Sequence, residues 1–170
     1  MKYRTRALSL TALSVAGAVV ILYMGTIFPA MHLTFAALAA IFVAAAVIEG
    51  GLKYGVLCFT ATATLGLFLV PDRVGVLLYL SFFGAYPLVK SIAERQSAQI
   101  LGWVVKFTAF FLTLTLYMTL LRELMLGAIP FTDRAIWLVY LAGAAAFLVY
   151  DIGMSKLIGF YLERLYKYRR

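Results

Sequence analysis

Side chains able to do chemistry are few in this sequence, and they lie far apart. His32 is the sole histidine and Cys58 the sole cysteine. A Cys/His metal set, a haem site and an internal disulfide are therefore out of reach. No serine and carboxylate join His32 in a relay, and there is no Gly-rich phosphate loop, no HExxH and no pair of acids of the DxxxD type on one apolar stretch. The sequence predicts a protein that is not an enzyme and that carries no metal or cofactor. Cys58 stands inside an apolar run and reads as a small buried hydrophobe.

The informative polar residues are those that interrupt apolar runs. Lys106 lies about eight residues into its run, where an ammonium must be paired or hydrated. Asp151, in the following run, is its expected partner. The pair is read either as an internal ion pair pinning two helices or as the polar floor of a solute cavity. Snorkelling of Lys106 to an interface is the third reading. A second group comprises Tyr86-Pro87-Leu88-Val89-Lys90, Glu94 and Arg95, with Glu49 and Lys53 nearby. Lys90 and Glu94 are four apart and share a helix face, so they can pair. Pro87 is expected to kink its helix. The group is either a charged helix end or a contact surface. A third set, His32, Asp72, Arg73, Tyr117, Arg122, Glu123, Asp133, Arg134, Trp137 and Tyr140, falls near the ends of runs. An aromatic belt with loop charges accounts for it. So does a pocket in which His32, Tyr117, Arg122, Glu123, Trp137 and Tyr140 bind a polar solute.

The elements that must position these groups are apolar helices. Of 170 residues, 65% are apolar and 13% charged, a composition that would leave a soluble domain covered in sticky surface. Six runs, at 7–28, 30–50, 52–70, 73–92, 98–126 and 134–160, are each long enough to cross a bilayer. Breaks fall at Phe28-Pro29, Glu49-Gly50-Gly51, Val70-Pro71-Asp72-Arg73, Ser91 to Gln99 and Gly127 to Asp133. Ala7 to Phe28 is too long for a signal-peptide core and is read as a retained first span. Six spans use nearly the whole chain, as a single membrane domain over 1–170. The net charge of +8 gathers at run ends, which fits lipid headgroups and orientation and excludes nucleic acid. With the N-terminus in the cytoplasm, Lys2, Arg4, Arg6, Lys53, Lys90, Arg95, Lys156, Arg164, Lys167, Arg169 and Arg170 lie inside, and only Arg73, Arg122 and Arg134 lie outside. The expected topology is that of a bacterial inner-membrane protein with both termini cytoplasmic.

Small residues are concentrated in the first two runs. Ala12-Leu13-Ser14-Val15-Ala16 has the spacing that lets another helix approach closely. Packing within the bundle and docking of a second membrane subunit both use such a face. The stretches TALSVAGAVVILYMGTIFPA, IEGGLKYGVLCFTATATLGLFLVP and LLYLSFFGAYPLVKSIAER, in that order behind a basic start, resemble the substrate-binding S components of energy-coupling factor (ECF) transporters. The resemblance covers some 160 residues. It implies an all-α, S-component-like six-transmembrane-helix bundle that captures a small, vitamin-like solute from the outer side. It also implies a transmembrane coupling subunit that grips Ala12 and Ala16, driven by cytoplasmic ATPases. The same fold resemblance extends to the MreD rod-shape scaffold of cell-wall synthesis, which transports nothing.

Overall fold

A chain in hydrocarbon must satisfy its backbone polar groups internally, and this one does so with helices. The computed structural model describes residues 2–95, 99–120 and 136–168, and within them there is no strand. Helix α1 spans Lys2–Ile27, and a 3-10 turn, Pro29–Met31, leads into α2, His32–Gly50. Helix α3 is Leu52–Leu69 and α4 is Arg73–Leu78. A π turn at Tyr79–Phe83 separates α4 from α5, Tyr86–Ala93. Two longer helices follow, α6 at Gln99–Leu120 and α7 at Ile136–Tyr168. Six stretches among the described residues are long and apolar enough to cross a membrane: Arg4–Ile27, Pro29–Gly50, Leu52–Leu69, Arg73–Ala93, Ile100–Thr119 and Tyr140–Glu163. The protein is an all-α, multi-pass membrane protein.

Its contacts divide it into two compact units, residues 1–113 and 114–170. In the first, α1 packs on α2 and α3, and α2 packs also on α4, the π turn and α5. Small side chains make this possible. Ala36, Ala39, Ala40, Val43, Ala44 and Ala46 of α2 are all buried, so neighbouring backbones approach closely on several sides. Helix α1 contributes one stripe, Ala7, Thr11, Val15, Ala18 and Leu22, at the three- and four-residue spacing of a helix face. Gly51 alone joins α2 to α3, with φ at +88°, a conformation in which a Cβ would be strained.

The fourth span is not one α-helix. The widened turn ends at Gly84, whose N–H donates to the Tyr79 carbonyl at 2.7 Å, and a fresh helix starts at Tyr86. Pro87 sits in the first turn of that helix, where its missing N–H removes no intrahelical bond. The interruption therefore lies upstream of the proline, at Gly84–Ala85. The end of α5 and α6 approach each other at Gly102, where an added Cβ would stand 2.9 Å from the Ala93 carbonyl oxygen. Gly102→Leu is expected to force the two helices apart and destabilise the protein by about 2 kcal/mol, as overpacking of a filled interior does. Gly102→Ala should act in the same direction with smaller size. Denaturant unfolding in detergent measures both.

Candidate functional site

At one end of the first unit, three helix termini meet on a single carboxylate. Asp72 precedes α4 and caps it, accepting from the Gly75 N–H at 3.0 Å, as N-cap aspartates do. Its other oxygen lies 2.6 Å from His32 Nδ1, at the start of α2. The Asp72 side chain is 4% exposed and that of His32 28%. Gly25, in the last turn of α1, makes room for the carboxylate, since a Cβ there would come within 2.6 Å of its Oδ2. Arg73 donates to the Leu67 carbonyl near the end of α3, a cation where the helix dipole favours one. His32, expected at the rim of a solute pocket, is thus held in a fixed polar clasp with Asp72.

The opposite end of the first unit carries the second charged cluster. Lys90, in the last turn of α5, is only 1% exposed and pairs with Glu94 at 3.0 Å, the i,i+4 pairing expected from spacing. Lys106 of α6 is also buried and reaches the same Glu94 oxygen at 3.5 Å. Its ammonium lies 5.1 Å from the centre of the Trp103 ring, within cation–π range. One carboxylate therefore serves two ammonium groups. Asp151, the expected partner of Lys106, is buried on α7 in the second unit, on a covered face with Phe147 and Met154. Glu94 is half exposed, so solvent screens it. Glu94→Gln is expected to lower stability by less than about 1 kcal/mol, read by the same unfolding measurement.

The remaining pocket candidates fall in the second unit. The Tyr140 hydroxyl bonds Thr115 Oγ1 at 3.1 Å. Tyr117 is half-buried, and Trp137 is 62% exposed, as a membrane-interface ring would be. Arg122 and Glu123 lie outside the described residues. Ala12 and Ala16 are both exposed on α1, on the side away from the buried Thr11, Val15 and Ala18 stripe.

One group that spacing did not single out lies deeper. Cys58 and Thr62, one turn apart on α3, and Tyr79, at the start of the π turn, are all fully buried. The Tyr79 ring lies 5.9 Å from that of Phe59 and against Gly84, where a Cβ would stand 2.6 Å from it. Threonine and tyrosine in an apolar run pass as ordinary span residues, and only packing brings these together. No family model matches the chain, and neither curated proteins nor solved structures yield a match.

Proposed function

We propose that the chain is the solute-binding membrane subunit of an ECF-type importer of the bacterial inner membrane. It captures a small, vitamin-like molecule from the outer side and works with a transmembrane coupling subunit and cytoplasmic ATPases. The three stretches of sequence resemblance support the reading. The observation that carries it is the exposure of Ala12 and Ala16. A small-xxx-small face consumed by internal packing would be buried, whereas here α1 packs internally through Thr11, Val15, Ala18 and Leu22. The alanine face is left for another helix, at the close approach such spacing permits. The distribution of Lys and Arg supports cytoplasmic termini. In that orientation the His32–Asp72 clasp lies at the outer face and the Lys90–Glu94–Lys106 cluster at the cytoplasmic one.

Affinity purification of the full chain from native membranes tests the proposal. Recovery of a polytopic subunit together with a pair of ATPases is the expected result. Recovery of cell-wall synthesis proteins in their place would overturn import and favour a scaffold of the MreD type.

A further inference from the structure

We propose that Lys156 holds the phosphate of an anionic phospholipid on the exposed face of α7, in the leaflet where that helix leaves the membrane at its C-terminal end. Lys156 stands inside an apolar stretch, Tyr140–Glu163, and seven residues before its end. Its backbone is therefore about 10 Å short of that end. The residue is exposed, and among the described residues no carboxylate pairs with it. Asp151 is buried on the other side of the helix, with Phe147 and Met154. The Ser155 hydroxyl donates to the Asp151 carbonyl, and Glu163 is two turns away. An ammonium at that depth is costly in hydrocarbon unless an anion or water meets it.

Snorkelling is a poor remedy here. Side chains on a helix lean toward its N-terminus, which for Lys156 is toward the middle of the bilayer and away from the nearer surface. The better solution brings the anion down to the lysine, and the helix surface leaves room for it. A Cβ added at Gly153 or Gly159, three residues to either side, would meet nothing within 4 Å, so headgroup atoms can lie against the backbone there. Toward the bilayer middle the same face carries Ile152, Val149 and Ala145, all exposed, an apolar track for an acyl chain. The occupant that fits is a phosphodiester with no ammonium of its own, because a zwitterionic headgroup brings a cation that competes with Lys156. Arg164 and Lys167 follow on the same helix and add to the attraction for a net negative lipid. The site does not depend on import, and co-purification of ATPases can fail without touching it.

The test uses the full chain in detergent, with phosphatidylglycerol as the probe and phosphatidylcholine and inorganic phosphate beside it. Phosphatidylglycerol in excess over its dissociation constant should raise the melting midpoint of the wild type by roughly 5 °C, and the other two should not. Lys156→Gln should lose most of that rise. Lys156→Arg, which keeps the charge, should retain it, as should Lys53→Gln, which alters an exposed lysine of α3. A full rise in Lys156→Gln, or an equal rise with phosphatidylcholine, would overturn the proposal. An equal rise with inorganic phosphate would mean a free-anion site and would overturn the lipid. Native mass spectrometry from bilayers of both lipids gives a second readout, in which retained phosphatidylglycerol should drop on the order of tenfold in Lys156→Gln. Lipid retention unchanged, with membrane proteins lost from affinity purification of that variant, would make Lys156 a protein contact and refute the site.

Discussion

On the import proposal, leucine at both Ala12 and Ala16 is expected to leave the protein folded and strip it of the proposed coupling subunit. Both positions are exposed on α1, so the larger side chains displace nothing in the first unit. Stability should stay within about 0.5 kcal/mol of wild type, as for most exposed substitutions. A helix seated on an alanine face is another matter, because its backbone sits where the new methyl groups would lie. Recovery of the coupling subunit and its ATPases should fall by at least on the order of tenfold, equivalent to about 1.4 kcal/mol of lost association. Solute binding by the isolated chain should persist, since no candidate solute contact is changed. Leucine at Ala142, exposed on α7, is the control and should leave recovery intact. Partners recovered at wild-type yield from the Ala12/Ala16 variant would refute the docking face.

Asp72→Ala should be the most destabilising single change at the His32–Asp72 clasp, at about 3 kcal/mol. Losing the cap on Gly75 contributes about 1 kcal/mol, and losing the charge-assisted bond to His32 about 2 kcal/mol more. Asp72→Asn retains an acceptor for the Gly75 N–H and should be milder. His32→Ala removes one partner of a buried carboxylate and should also destabilise. The double variant should then show a coupling of at least about 1 kcal/mol, as residues in direct contact do. Thermal and denaturant unfolding in detergent measure all four. Independent, additive effects of His32 and Asp72 would mean that the 2.6 Å contact does not form in solution.

The same two residues show where sequence reading stops. The ends of the first three spans were legible because proline and glycine have local causes: Pro29 opens a 3-10 turn, Gly51 takes a positive φ, and Pro71 follows α3. The Lys90–Glu94 pair was legible from four-residue spacing. The bond from His32 to Asp72 spans forty residues, and nothing local distinguishes it from two unrelated interface groups. Lys106 reaches Glu94 only because Gly102 lets α6 lie against the end of α5. The π turn was hidden behind Pro87, the more conspicuous signal, although Gly84 beneath the Tyr79 ring is what the turn requires. Thr62 gave no signal at all, since only packing sets it with Cys58 and Tyr79.

Helix α7 runs unbroken for 33 residues. At about 1.5 Å per residue it is about 50 Å long, while hydrocarbon is only about 30 Å thick. Even a tilt of about 40° would bring roughly 38 Å of it along the bilayer normal, so some turns must emerge into water as a rigid post. The apolar stretch ends by Glu163, and the basic residues Arg164 and Lys167 follow on the same helix. The emerging turns are therefore a stiff, positively charged lever whose motion is tied to the span within the lipid.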